Sequence, residues 1–257
     1  NKLIYYRKQL QNYRISLLST ILLTSLFSSS VFASIIIWPT NLVIEKEEKA
    51  TALWLENQGT QEKVIQLRIF KWTQENGKDN LQEQQDIIGS PPMMSIAPGA
   101  RQMIRVINTK PVESGQEITY RLLLDEIPTK DAVKPSGPGI SFQLRYSVPL
   151  FIYGTGLIHN SPIDQLTAKL SWQPVMQGGQ SMIEIRNNNP VHVHLSQIGV
   201  NNAKQEGTSN ALSTYVLPGA TVRYPMPRNI NTAAQKLPAI VTGDNPQAIN
   251  IDKAGHN

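Results

Sequence analysis

Two histidines separated by one residue, His192 and His194, are the first candidates for chemistry in this sequence. On an extended strand their side chains point to the same side, as ligands of a metal ion would need. The chain has only four histidines and no cysteine, and no third ligand is evident near the pair. We therefore interpret them as surface or strand-packing histidines. A metal hydrolase built on them is the alternative from the enzyme class.

The adjacent carboxylates Asp125 and Glu126 are a second candidate. Neighbouring residues of a strand point to opposite faces, so these two cannot easily flank one bond as a hydrolase pair. Cross-strand pairing of Asp125 with Arg145 is the simpler prediction. The sequence has no Gly-x-Ser-x-Gly elbow, phosphate-binding glycine loop or zinc-protease motif. We predict no catalysis, no bound metal and no cofactor.

Four tryptophans could form a sugar-binding surface: Trp38, Trp54, Trp72 and Trp172. They are scattered over several predicted strands, and aromatic side chains dominate the interiors of β-sandwiches. We predict that they fill cores. A secreted adhesin or carbohydrate-binding sandwich is the main alternative function.

The candidate residues above lie in a chain of short runs rich in β-branched and aromatic residues. Turn signals such as Asn76-Gly77 and Pro218-Gly219 separate these runs. The pattern predicts an all-β protein with strands at residues 35–37, 42–44, 51–56, 63–72, 102–108, 117–125, 140–153, 166–172, 181–186, 192–200 and 221–224. Residues after Asp244 show no clear strand pattern. The proline-rich segment 128–139 is predicted to be a long loop.

The strand spacing suits two β-sandwiches of about 100 residues each. We predict domains at residues 34–154 and 155–257, joined near residues 154–162. Residues 1–33 combine Lys2, Arg7, Lys8 and Arg14 with an apolar, hydroxyl-rich run, which predicts a secretory signal peptide cut before Ser34. Without those residues the charge is nearly balanced, and no basic run with interleaved aromatics indicates a nucleic-acid partner.

The most informative stretch runs from Ile140 to Val148. Its even positions Ile140, Phe142, Leu144, Tyr146 and Val148 share one face of an extended strand. Such alternation is common in ordinary half-buried strands. Core packing is therefore an open alternative when this feature is taken alone.

Four neighbouring motifs resemble the periplasmic pilus chaperones of the chaperone–usher pathway. In chain order they are Ser90-Pro91-Pro92 with Pro98-Gly99 and Arg105-Val106, the stretch 117–128, the alternating strand running into Leu150-Phe151-Ile152-Tyr153, and Asn189-Pro190 with Leu217-Pro218-Gly219. Each motif is weak alone, but their order and spacing match the family pattern.

The resemblance implies two immunoglobulin-like domains in a boomerang arrangement and a protein that acts in the periplasm. Its partners would be pilus subunits and an outer-membrane usher. The strand at 140–153 would be lent to a subunit that lacks its last strand, with Ile140, Phe142, Leu144, Tyr146 and Val148 in the subunit groove. An unoccupied chaperone would be prone to self-association through that strand.

The family also uses two cleft cations that bind the carboxylate at the subunit's C-terminus. Here Asn41 stands where arginine is usual and Pro149 where lysine is usual, which indicates the archaic, Csu-pilus-like branch. The resemblance implies that Glu117 faces Tyr153 across the hairpin, as the corresponding family positions do, and Arg121 then faces Pro149. We therefore predict Arg121 as the carboxylate anchor; a solvated surface arginine is the alternative.

Overall fold

β-Strands dominate the computed structural model, which describes residues 35–128, 144–158, 161–199, 213–226, 230–243 and 245–255. This part of the chain contains seventeen strands and one five-residue helix, which confirms the predicted all-β class. No helix in these residues is long and apolar enough to cross a membrane. The predicted signal peptide lies outside them.

The first sandwich consists of ten strands. They are β1 (Ile35–Trp38), β2 (Leu42–Ile44), β3 (Ala50–Asn57), β4 (Lys63–Glu75), β5 (Lys78–Gln82), β6 (Ile87–Ser90), β7 (Met93–Ile96), β8 (Arg101–Asn108), β9 (Glu117–Ile127) and β10 (Arg145–Tyr153). One sheet has the order β1-β3-β8-β6, and the other has the order β2-β10-β9-β4-β5 with β7 also paired to β4.

Alternating side chains of both sheets meet in one apolar core. Its members include Leu53 and Leu55 of β3, Ile104 and Val106 of β8, Leu122 and Leu124 of β9, and Leu150 and Ile152 of β10. Burial of each such side chain contributes about 1.5–3 kcal/mol to folding. Because apolar side chains alternate along β9 and β10 with a period of two, the face that carries them points inward.

The second sandwich has a short helix and seven strands. They are α1 (Ile163–Thr167), β11 (Leu170–Gln177), β12 (Gln180–Asn187), β13 (Val193–Ser196), β14 (Thr214–Val216), β15 (Thr221–Pro225), β16 (Lys236–Val241) and β17 (Gln247–Lys253). Hydrogen bonds connect the strands in the order β14-β13-β16-β17-β11-β12-β15. Trp172, Ile185, Leu195, Val222 and Ile251 belong to their core.

A buried asparagine closes a loop at the same point of each sandwich. Asn57, at the end of β3, donates from Nδ2 to the carbonyl of Ile96 at 2.8 Å. Asn187, at the end of β12, donates in the same way to the carbonyl of Val216 at 2.9 Å. Both side chains are fully buried, so their amides satisfy carbonyls at the ends of β7 and β14 that water cannot reach. The repeated contact indicates that the two sandwiches follow one plan.

Three predicted elements differ from the structure. The strand predicted at residues 192–200 covers only Val193–Ser196, because the chain turns at Gln197, which has a positive φ. Residue Leu166, expected to begin a strand, lies in α1, where Ile163 and Leu166 pack together on the second core because they are one helical turn apart. The segment after Asp244, expected to lack strand structure, contains β17. There Ile249 and Ile251 alternate with exposed residues and enter the same core.

The tryptophans divide into two groups. Trp72 and Trp172 are buried as predicted, but Trp54 is 37% exposed. Its ring stacks on Trp38 with the centroids 6.4 Å apart. The prediction that all four fill cores is therefore wrong for Trp38 and Trp54, which are register partners on the outer face of the four-stranded sheet.

A third apolar cluster lies where the two sandwiches touch. Its buried members are Trp72, Phe151 and Tyr153 from the first sandwich and Val191, Leu217 and Ala220 from the second. Beside it, the Gln74 side chain donates to the carbonyl of Tyr215 at 2.8 Å and accepts from the amide of Leu217 at 2.9 Å. Residues of both sandwiches therefore surround the start of β9 and the end of β10.

Candidate functional site

One edge of β10 is open over half of its length. β10 pairs with β9 through residues 145–153, whereas β2 covers only residues 150–152 on the other side. The amide of Glu126 donates to the carbonyl of Leu144 at 3.0 Å. By the antiparallel alternation, Arg145, Ser147 and Pro149 direct their backbone groups away from β9. Within the described residues no strand pairs with these groups. We call residues 145–149 the open edge.

The structure describes three of the five side chains that were predicted to bind a partner. Leu144 lies directly before β10 and is 41% exposed, whereas Tyr146 is partly buried against the first core. Val148 is only 4% exposed and belongs to that core. Its assignment to a partner-binding face is therefore revised, because its side chain packs within its own domain. Ile140 and Phe142 lie outside the described residues.

Asp125 pairs with Arg145 across β9 and β10, as predicted. Arg68 contacts the same carboxylate, with its Nη2 2.7 Å from Oδ2. Burial opposes ionisation of Asp125, but hydrogen bonds from Arg145 and Arg68 outweigh it, and the pKa of Asp125 lies below its ordinary value. The carboxylate is thus a structural ion pair beside Leu144.

Arg121 lies opposite Pro149, in the predicted register in which Tyr153 faces Glu117. Its guanidinium stacks on Trp72, with Cζ 3.6 Å from the ring centroid. The ring of Tyr215, from the second sandwich, lies 5.3 Å away. Burial lowers the pKa of Arg121, although Asp79 opposes this effect.

The Arg121 side chain makes no ion pair or hydrogen bond with the described part of the chain. Aromatic faces stabilise its charge, but they do not use the N–H donors at the edge of the guanidinium. A half-buried cation with unused donors is suited to bind an anion. Arg121 is therefore a candidate anion site.

Glu117 connects the two sandwiches from the base of the same hairpin. Its fully buried side chain accepts a hydrogen bond from the amide of His192 at 3.1 Å and lies 2.9 Å from Nδ1 of that ring. The His192 ring stacks on Phe151 at 3.5 Å between centroids. Together, the contacts of His192 with Glu117 and with Phe151 hold the residue before β13 against the end of β10.

Replacing Glu117 by alanine is expected to lower the free energy of unfolding by about 2–4 kcal/mol, because a buried amide and ring nitrogen lose their acceptor. Urea denaturation followed by tryptophan fluorescence measures the change. The matched control is Glu113→Ala, which removes an exposed carboxylate nearby and should change stability little. Equal stability of the Glu117 variant and the wild type would show that this contact does not hold the sandwiches together.

His194 stacks on Tyr215, with ring centroids 3.9 Å apart. Burial, followed by the nearby charges of His192 and Arg121, lowers the pKa of His194 to about 4. The ring is therefore neutral at neutral pH, and it adds no positive charge beside Arg121.

This pKa predicts a loss of stability in mild acid. The unfolded chain takes up a proton at His194 near pH 6.5, whereas the folded protein does so only near pH 4, so acidification between these values favours unfolding. We expect a loss of about 1–2 kcal/mol across this window, reduced by the partial exposure of the ring. His194→Gln should remove it when unfolding is measured at several pH values. An unchanged pH slope in the variant would contradict the assignment.

The two histidines do not assemble a metal site with other described residues. Within that part of the chain no group of three or more histidine, cysteine, aspartate or glutamate side chains is placed to hold a metal ion. His192 contacts Glu117, and His194 contacts Tyr215. The structure thus gives both rings packing roles.

Comparison with protein families matches residues 34–157 to the N-terminal domain of the PapD pili and flagellar-assembly chaperones, and residues 165–244 to the C-terminal domain of the PapD pili assembly chaperones. A solved structure of the CsuC–CsuE chaperone–tip adhesion subunit pre-assembly complex, from archaic chaperone-usher Csu pili of Acinetobacter baumannii, contains a chain 35% identical to this one. The match covers 86% of this chain and 99% of that chain, with a TM-score of 0.70.

The chain belongs to the pilus-assembly chaperone family. The match to the archaic Csu system confirms the branch that Asn41 and Pro149 indicated. This chaperone family is not catalytic.

More distant structures share the fold. A chain in the complex of the Salmonella enterica SafA pilin with the SafB chaperone is 14% identical, with a TM-score of 0.60 and coverage of 87% of this chain and 99% of that one. The Escherichia coli chaperone DraB is 17% identical, with a TM-score of 0.58 and coverage of 85% and 98%. No curated protein sequence gives a significant match.

Sequence reasoning did not find the aromatic side chains around Arg121. Trp72 was assigned only to a core, and Tyr215 was not singled out, although both rings face the guanidinium. Cation–π partners on separate strands leave no spacing signal. The register of β9 was the only feature that located Arg121 itself.

Proposed function

We propose that this chaperone holds an immature pilus subunit by lending it β10 as an additional strand, and then delivers it to an outer-membrane usher. The open edge of β10 is the observation that carries the proposal. Its outward N–H and C=O groups, with which no described strand pairs, can pair with a subunit strand by β-augmentation, the mode by which pilus chaperones hold pilins. The Csu and Saf structures, which contain chaperones with their subunits, support this class of partner.

Side chains at the start of the strand would fill the subunit's groove. Leu144 is exposed and Tyr146 is half-buried, and we assign Ile140 and Phe142 to the same face from the sequence pattern. Each buried apolar side chain contributes about 1.5–3 kcal/mol before the cost of ordering the complex. Val148 is left out, since it is already packed in the first core.

Arg121 would anchor the carboxylate at the subunit's C-terminus. It lies opposite Pro149, the last residue of the open edge, and its guanidinium is half-buried. A carboxylate that enters such a cleft needs a cation, and guanidinium can bind both of its oxygens. Fixing the chain end in this way would set the register of the subunit strand along β10.

The remaining parts of the proposal concern the cell. The predicted signal peptide at residues 1–33 would direct the protein to the periplasm, where the family acts. Without a subunit, the open edge and the exposed Leu144 would promote self-association. Membership of the family favours this function over a secreted adhesin.

Co-expression with the pilus-subunit gene nearest to the chaperone gene tests the proposal. We expect a one-to-one complex by size-exclusion chromatography with light scattering, and a subunit that is degraded when the chaperone is absent. A subunit that accumulates as a folded monomer without the chaperone, or that elutes apart from it, would contradict the proposed role.

A further inference from the structure

Tyr215 belongs to the second sandwich but reaches the candidate anchor in the first. Its ring lies edge-on to Trp72 at 5.6 Å between centroids and 5.3 Å from the Arg121 guanidinium. Arg121 stacks on the face of Trp72. The guanidinium therefore has one aromatic side chain from each sandwich beside it.

Three contacts fix Tyr215 in this position. Its hydroxyl donates to Oδ1 of Asn41 at 2.9 Å, its ring stacks on His194, and its carbonyl accepts from Gln74 at 2.8 Å. Asn41 and Gln74 come from the first sandwich. Tyr215 is thus held from both sides of the junction.

The position of Asn41 gives this contact a particular meaning. Asn41 stands where the better-known members of the family are expected to carry an arginine, and here its side chain binds the Tyr215 hydroxyl. The Asn41 amide carries no charge, so it cannot neutralise a carboxylate. It instead contacts Tyr215, which lies beside Arg121.

We propose that Tyr215 is a positioning residue, which holds the Arg121 guanidinium flat against Trp72 so that its N–H edge faces the subunit's terminal carboxylate. The carboxylate site is then complete only when the second sandwich contributes Tyr215. This inference rests on the proposed function of Arg121. It goes further because it assigns a residue of the second sandwich, fixed by Asn41, to recognition of the chain end.

Stacking makes this arrangement selective. A guanidinium has five N–H donors in one plane, and Trp72, which covers its face, leaves those donors free at the edge. Tyr215 lies at the side of this stack, edge-on to Trp72. Without Tyr215 the arginine could swing away from Trp72, and productive orientations would become rarer. Binding of a free carboxylate would weaken, whereas contacts along β10 would remain.

The test uses a synthetic peptide of the last ~15 residues of the subunit that co-purifies with the chaperone, long enough to pair with the open edge at ~3.3 Å per residue. One form carries a free C-terminal carboxylate and the other a C-terminal amide. Binding of each form is measured by fluorescence anisotropy to the wild type, Tyr215→Ala, Asn41→Ala and Arg121→Ala. The amidated peptide is the matched control, since it keeps the strand contacts and lacks the charge.

We expect Tyr215→Ala to weaken binding of the free-carboxylate peptide about 5- to 30-fold, as for the loss of a partly buried cation–π contact. Binding of the amidated peptide should change less than about twofold. Asn41→Ala should show the same pattern with a smaller effect. Because Asn41 is exposed, this variant tests the inference even if Tyr215→Ala fails to fold.

Equal weakening of both peptides by Tyr215→Ala, or no weakening of either, would overturn the role of Tyr215. If Arg121→Ala still abolished the preference for the carboxylate, the proposed anchor would stand without Tyr215. If Arg121→Ala left that preference intact, the anchor assignment itself would fail. The two proposals therefore fail in distinguishable ways.

Discussion

Replacing Leu144 by aspartate is expected to abolish recovery of the subunit while the chaperone itself remains folded. Leu144, directly before β10, is 41% exposed, so the substitution costs the free protein little. In the complex it would place an unpaired carboxylate in an apolar groove, at a cost of several kcal/mol. A loss of about 3 kcal/mol corresponds to a more than 100-fold weaker complex. Pull-down of co-expressed subunit through a tagged chaperone measures it.

Ser147→Asp is the matched control for charge. Ser147 is exposed on the opposite face of the same strand, so an aspartate there should leave recovery near the wild-type level. Circular dichroism of both variants verifies the fold. Normal recovery with Leu144→Asp would show that the even-numbered face of the strand does not enter the subunit.

Replacing Arg121 by alanine is the second change with a large expected effect. The guanidinium is half-buried beside the base of the open edge, and removing one partner of such a charge pair commonly costs about 2–4 kcal/mol. The yield of the chaperone–subunit complex should fall about 30-fold or more. Arg121→Lys should rescue only part of it, because an ammonium lacks the planar pair of donors.

A change in the subunit tests whether the two groups meet. Adding residues to the subunit's C-terminus displaces the carboxylate, which should weaken binding to the wild type but add little further loss to Arg121→Ala. Arg105→Ala is the control for loss of an exposed cation, because Arg105 lies on β8 in the other sheet. Independent, additive losses would show that Arg121 is not the anchor.

Much of the fold follows from local pattern. Alternation in β9 and β10 defined both strands. Their register came from the family resemblance, and it placed Arg121 opposite Pro149 as the structure has it. The sequence pattern did not predict two short elements, β17 and α1. β17 has only Ile249 and Ile251 as its buried apolar residues, and α1 is a single turn whose apolar residues also fit a strand.

The site was only partly accessible from sequence. An alternating strand looks the same whether its apolar face meets its own core or a partner, so the pattern could not show that Val148 is internal and Leu144 exposed. The contact of Tyr215 with Arg121 depends on how the two sandwiches pack. No spacing within either segment encodes that packing.

Hydrogen exchange of β10, with and without bound subunit, tests the central claim most directly. Residues 150–152 are an internal control, since β9 and β2 flank them in the free protein. The amides of Arg145 and Ser147, which point away from β9, should exchange rapidly in the free chaperone and become strongly protected in the complex. Residues 150–152 should be protected in both states. Exchange at Arg145 and Ser147 that stays equally fast in a complex shown to be one-to-one would contradict strand donation by β10.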